Sequence, residues 1–150
     1  MTTALRPASA ADLPAVQALV ARAYGHYVAR IGKPPGPMLD DYAARIAEGA
    51  VQVLEEDGRL VGLLVLLPEA DHLLLDNVAV DPAAQGRGHG RRLVAAAEDE
   101  ARRLGLPELR LYTHELMSEN VAMYERLGFV ETHRGQQAGY ARVFMRKRLG

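Results

Sequence analysis

The chain has 150 residues, 49% hydrophobic and 25% charged, the composition of one ordinary globular domain rather than of a disordered or fibrous chain. It contains no cysteine and no tryptophan, and its formal charge is −1. These features exclude disulfides, thiolate metal sites and cysteine nucleophiles, and they supply neither a global basic field nor stacking aromatics for nucleic acid.

No segment approaches the ~18 apolar residues of a membrane span, and Met1–Arg6 lacks the apolar stretch of a secretory signal. A cytoplasmic protein that binds neither membrane nor nucleic acid is therefore expected. Ser9, with Asp12 in the capping-box position, opens a helix in which Leu13, Val16, Val20, Ala23 and Tyr27 recur near a 3.6-residue period. Gly32-Lys-Pro-Pro-Gly-Pro37 is a loop, and a short helix around 40–48 ends at Gly49. Residues 51–54 and 59–67 flank Glu55-Glu-Asp-Gly58, a strong hairpin signal because glycine accepts the positive φ of the turn. A third strand covers 72–80 and closes at Asp81-Pro82.

Residues 90–104 form the clearest helix, with Leu93, Ala97, Ala101 and Leu104 on one face and Gly105 as its stop. A strand over 109–113, a helix over 119–127 stopped by Gly128, and strands at 129–132 and 141–146 complete the chain. The order ααβββαβαββ predicts one mixed α/β domain over 1–150, without repeats or linkers.

The most informative stretch is Val78-Ala-Val-Asp-Pro-Ala-Ala-Gln-Gly-Arg-Gly-His-Gly-Arg-Arg92. Strand, turn, three alternating glycines and helix follow in that order. Such a turn aims several backbone N–H groups at one spot, the arrangement that binds phosphate oxygens. A dinucleotide fingerprint fails, because Asp81–Gln85 intervenes after the strand and Arg91 stands where a third Gly or Ala belongs. A Walker loop fails because the only lysines are Lys33 and Lys147. Charge adds a second argument. Helix N-termini prefer acids, yet Arg87, Arg91 and Arg92 cluster here while Glu98, Asp99 and Glu100 come later. A polyanionic ligand at the turn would reverse that penalty; the bland alternative is a bare turn with solvated arginines.

Gln85-Gly-Arg-Gly-His-Gly90 after Val78-Ala-Val80 resembles the acetyl-CoA signature of the GNAT superfamily of N-acetyltransferases. Asn120-Val-Ala-Met-Tyr-Glu-Arg-Leu-Gly-Phe129 resembles that family's second motif, with Tyr124 four residues after Asn120. The resemblance implies a mixed, mostly antiparallel sheet with helices on both faces. It implies acetyl-CoA as co-substrate and no metal, with Gln85, Gly86, Arg87, Gly88, His89, Gly90 and Arg91 cradling the pyrophosphate. Backbone at Asn77, Val78 and Val80 would pair with the pantetheine arm, the Asn120 amide would hold that arm, and Tyr124 would stand near the thioester sulfur. A phenol can protonate a departing thiolate. The competing reading of Tyr124 is core packing with Val121 and Leu127.

An alkyl amine must lose a proton before it attacks. Some members of that family carry an acid where this chain has Leu74; strand alternation puts His72, Leu74 and Asp76 on one face, making Asp76 the preferred substitute base. Asp76 could equally anchor a neighbouring backbone turn, and His72 and His114 are weaker candidates. His114-Glu115 opens like a zincin motif, but Ser118 replaces the second histidine. The resemblance puts the substrate wall at Tyr24, His26, Tyr27, Arg30, the 32–37 loop, Tyr42 and Tyr140, although Tyr27 and Tyr42 also fit core stripes. The acceptor would be a small-molecule or peptide amine, and the protein a monomer or homodimer. The alternative function is an acyl-CoA-binding sensor without catalysis.

Overall fold

The computed structural model describes residues 2–150, which fold as two compact units, each drawn from two stretches of the chain. The first comprises Met1–Leu66 and Asn77–Leu93, the second Leu67–Asp76 and Val94–Gly150. Among the described residues seven strands, β1 (Thr3–Pro7), β2 (Val51–Glu56), β3 (Arg59–Pro68), β4 (Leu73–Val80), β5 (Glu108–His114), β6 (Val130–Gln137) and β7 (Tyr140–Arg148), follow the order β1-β2-β3-β4-β5-β7-β6, and β3 and β4 each contribute residues to both units.

In the first unit, β1 (Thr3–Pro7) pairs antiparallel with β2 (Val51–Glu56), which pairs antiparallel with β3 (Arg59–Pro68). The β2–β3 turn is the predicted one: Asp57 and Gly58 both have positive φ, 52° and 82°, the pair that continues a right-handed strand twist. Val51, Val53, Leu54, Leu63, Leu64 and Val65 are buried whichever face they occupy, so these strands read as apolar runs rather than alternations. α1 (Leu13–Tyr24) buries Val16, Leu19, Val20, Ala23 and Tyr24. It contacts α3 (Tyr42–Ala47) and a single 3-10 turn, Gly36–Met38, inside the proline-rich connection.

Two expectations need correction. The strand β1 is absent from the predicted order, because five residues ending in proline show no alternation to detect. Tyr27 is not on the first helix. The chain breaks at Gly25 and Tyr27 opens α2 (Tyr27–Ile31), which Gly32 closes at φ 90°.

The capping box forms. Ser9 N–H donates to Asp12 Oδ2 at 2.7 Å, and the Arg6 guanidinium donates to both Asp12 oxygens at 2.8 and 2.9 Å. Those Arg6 hydrogen bonds, then the one from the Ser9 backbone, hold the Asp12 carboxyl well below the ordinary carboxylate range. A carboxyl whose pKa is lower folded than unfolded stabilises the fold above its unfolded pKa and loses that contribution as pH falls. Asp12→Asn is thus expected to cost about 1 kcal/mol at pH 7. In urea melts taken from pH 7 to pH 2, the gap from wild type should stay constant to near pH 5 and close in stronger acid. A pH-independent gap would place the effect elsewhere.

In the second unit, the start of β4 (Leu73–Val80) pairs parallel with β5 (Glu108–His114), through Leu73 opposite Leu109 and Leu74 opposite Arg110. β5 pairs antiparallel with β7 (Tyr140–Arg148), which pairs antiparallel with β6 (Val130–Gln137). Every residue of β6 is exposed. α4 (His89–Arg103) begins in the first unit and ends here, burying Ala97 and Ala101, whereas Leu104 beyond its end is exposed. α5 (Ser118–Arg126) follows β5. Lys147 Nζ donates to the Leu127 carbonyl at 2.8 Å and pairs with Glu98 at 3.1 Å, tying β7 to the end of α5 and to the middle of α4. Among the described residues no helix is long and apolar enough to cross a membrane.

Candidate functional site

In the first unit, β4 ends in a bend fixed by buried Asp81. Its N–H donates to the Val61 carbonyl at 2.8 Å, while its carboxylate accepts from Ala83 N–H at 3.0 Å and from Arg22 Nε at 3.0 Å. The chain then passes through Gly86 and Gly88, both at φ 81°. A Cβ at either would meet no atom within 4 Å, so backbone conformation and not crowding calls for glycine there. Gly90 differs: it lies inside α4 and is helical, so two glycines shape the turn rather than three. The bond from Arg92 N–H to the Gly88 carbonyl, 3.1 Å, starts the helical ladder, and the N–H groups of His89, Gly90 and Arg91 come ahead of it.

The arginines at this turn are not equivalent. Arg87 forms an ion pair with Glu56, whose other oxygen lies 3.1 Å from His89 Nε2. Glu56 and His89 are both buried. Arg92 donates to Thr3 Oγ1 at 2.5 Å, and Arg91 is exposed. The sequence suggests three uncompensated cations; in the fold Arg87 has a protein counter-charge, and both Glu56 oxygens are occupied. Sequence reasoning missed Glu56 because it sits at the end of a hairpin strand, where an acid ordinarily faces solvent. The only available signal was an acid in a position otherwise demanding burial.

Asn77 carries a clasp. The Tyr24 hydroxyl donates to Asn77 Oδ1 at 2.5 Å, with the Val78 carbonyl 3.1 Å from the same hydroxyl. Asn77 Nδ2 donates to the Tyr42 hydroxyl at 2.9 Å, and that hydroxyl donates to the Pro37 carbonyl at 2.5 Å. Tyr24, Tyr42 and Asn77, singled out for different roles, therefore meet in one buried network that ties α1 and α3 to β4. Tyr27 is buried beside Tyr24, with the His26 ring tilted 40° to its own at 3.9 Å and the Arg30 guanidinium 5.1 Å above its ring. Removing the asparagine amide takes from both buried hydroxyls the partner that joins them. Asn77→Ala is expected to destabilise the protein by about 2 kcal/mol, read as a lowered urea midpoint with unchanged slope. A loss below about 0.5 kcal/mol would mean that solvent replaces the clasp.

In the second unit, Asp76 is half-buried on the same alternation of β4 as His72 and Leu74. Asn120 and Tyr124 stand one turn apart on α5. Tyr124 is buried and packs edge-on against Phe129, ring centres 5.6 Å apart. His114 Nδ1 accepts from Leu116 N–H at 3.0 Å, which leaves any ring proton on Nε2, and its ring meets Tyr140 edge-on at 6.0 Å. Gln85 is exposed, Val78 buried and Val80 half-buried.

The family model described as the acetyltransferase (GNAT) family matches residues 14–129. A mycothiol acetyltransferase of Rhodococcus jostii (strain RHA1) is 38% identical over 86 residues, covering 56% of this chain and 27% of that protein. The [ribosomal protein bS18]-alanine N-acetyltransferase of Escherichia coli (strain K12) is 33% identical over 78 residues, covering 52% of this chain and 53% of that protein. The matched stretch thus spans from about a quarter to about half of these relatives. A crystal structure of PaiA N-acetyltransferase from Thermoplasma acidophilum in complex with coenzyme A superposes with a TM-score of 0.84 at 19% identity, over 99% of this chain and 100% of that one. N-acetylglutamate synthase from Neisseria gonorrhoeae, complexed with coenzyme A and N-acetyl-glutamate, gives 0.75 at 24%, over 100% and 36%. At these identities the structures show a shared fold.

Proposed function

Because the chain belongs to the GNAT acetyltransferase family, matched over residues 14–129, we propose that it moves an acetyl group from acetyl-CoA to a primary amine by direct transfer with both substrates bound. The observation that carries this reading is the turn into α4. Two left-handed glycines lead into a helix start whose first N–H groups precede the ladder, with exposed Arg91 beside them. A helix N-terminus with a cation suits a diphosphate, and Glu56, the buried acid here, has both oxygens engaged by Arg87 and His89.

Within this reading the amides of Gly86–Arg91 hold the pyrophosphate beside Gln85, and backbone at Asn77, Val78 and Val80 pairs with the pantetheine arm. The Tyr24–Asn77–Tyr42 clasp supports that reading by fixing the strand whose backbone would be used. The Asn120 amide holds the arm. The neutral amine attacks the thioester carbonyl, a C–N bond forms, and the C–S bond breaks as the sulfur takes the Tyr124 phenolic proton. The ammonium proton passes to Asp76, directly or through water.

The test is coenzyme A release, followed with a thiol-reactive dye, across polyamines, amino acids, aminoglycosides and N-terminal peptides. A chain without cysteine gives no protein background. Release that depends on an amine is expected. Leu74, where an acid would otherwise serve, favours a second reading, an acyl-CoA sensor. Tight acetyl-CoA binding in calorimetry with no amine-dependent release would select it.

A further inference from the structure

The second unit contains a buried cation without an anion. Arg142 of β7 is nine-tenths buried, and its Nε is one of two buried side-chain polar atoms with no hydrogen-bond partner among the described residues. Its guanidinium lies between two rings, 4.6 Å from the centre of Tyr112 and 4.8 Å from that of Tyr140. These contacts hold the guanidinium carbon against two rings and leave its Nε–H to be satisfied. No Arg142 ion pair forms with any acid among the described residues. Burying a guanidinium without a counter-charge is unfavourable, so the site is built for an anion that the chain itself does not supply.

The surroundings agree. Strand register places His114 of β5 and Gly135 of β6 opposite Arg142, and a Cβ on Gly135 would meet nothing within 4 Å, so no β6 side chain fills the position paired with Arg142. Arg146, Phe144 and Arg142 alternate on the same face of β7, beside Arg110 and Tyr112 of β5. On that face lies a cavity of about 430 Å³, lined not by Arg142 itself but by its neighbours Tyr112, Phe144, His133, Arg110 and Arg146 among others, and by no carboxylate. His133 stacks on Phe144 at 4.2 Å, giving the cavity a planar apolar wall. The nearby acids are spoken for: Glu108 and Asp71 pair with Arg110, and Glu115 pairs with Arg134.

We propose that Arg142 receives a carboxylate of the acyl acceptor. The acceptor class is then amines that carry a carboxylate, amino acids and their relatives with an apolar body, and not polyamines or aminoglycosides. A planar guanidinium matches a carboxylate through two parallel N–H···O bonds, and Arg142 together with Arg146 disfavours a polycationic substrate. This inference rests on the acetyltransferase reading for the word acceptor, but not for the binding of the carboxylate.

The test uses matched pairs: phenylalanine, leucine and glycine against their carboxamides as acceptors, and the N-acetyl amino acids against their amides as binding probes. Acids should exceed amides about 30-fold in kcat/KM, and Arg142→Met should shrink that ratio below about threefold without changing acetyl-CoA affinity. Arg142→Lys should recover part of it. In ¹H–¹⁵N spectra of the wild type, the Arg142 Nε–H signal, assigned by its loss in Arg142→Met, should move with N-acetylphenylalanine and not with its amide. Equal use of acids and amides would overturn the inference and leave the acetyltransferase reading standing. Carboxylate binding at Arg142 without turnover of any amine would do the reverse. Neither turnover nor a shifted Arg142 signal would overturn both.

Discussion

Tyr124→Phe is expected to lower acetyl transfer by at least about 100-fold while acetyl-CoA affinity stays within about twofold, because a general acid contributes to the transition state and little to the ground state. The substitution removes one oxygen. The phenylalanine ring can keep the edge-on contact with Phe129 and the burial that Tyr124 now has, so the fold should survive. Steady-state release of coenzyme A with a saturating amine, set beside calorimetric titration of acetyl-CoA, separates the two effects. Unchanged turnover would take Tyr124 out of the mechanism and return it to core packing. A parallel loss of affinity and turnover would make the hydroxyl a binding group instead.

The second large effect concerns Gly88. Gly88→Asp is expected to weaken acetyl-CoA binding at least about 100-fold, ~2.8 kcal/mol. Two causes act together: φ of 81° strains a residue with a Cβ, and a carboxylate would face the phosphates at a helix N-terminus. Gly88→Asn separates them, since asparagine tolerates left-handed backbone and carries no charge. Gly88→Asn should therefore retain most of the affinity, and the gap between the two variants should narrow as salt is added. Full affinity in Gly88→Asp would remove the diphosphate from this turn.

Most elements were legible because periodicity and punctuation agreed. The Asp57-Gly58 hairpin, the capping box at Ser9 and the amphipathic helix after the glycine turn all express local rules, and each formed. The first strand was not legible, since β1 is a short edge segment paired on one side only, with β2. The glycine turn could be found, but its electrostatics could not. Glu56 lies 31 residues before Arg87 and 33 before His89, and only the fold brings the three together. Arg142 was equally hidden. In sequence it is one basic residue in a strand with Arg146, Lys147 and Arg148, and nothing local says that it alone is buried between two tyrosines. The tyrosine–asparagine clasp shows the same limit: aromatics at positions 24 and 42 look alike in a helical stripe whether their hydroxyls meet a ligand or the chain itself.

Lys147 has a consequence of a different kind. The chain has only two lysines, and the Nζ of this one is engaged by a carbonyl and a carboxylate. A thioester acylates an amine only when the nitrogen reaches its carbonyl carbon, and here two acceptors within the chain hold that nitrogen. In the proposed reaction with an activated acyl donor, one of the chain's two lysine side chains is thereby held back from self-labelling.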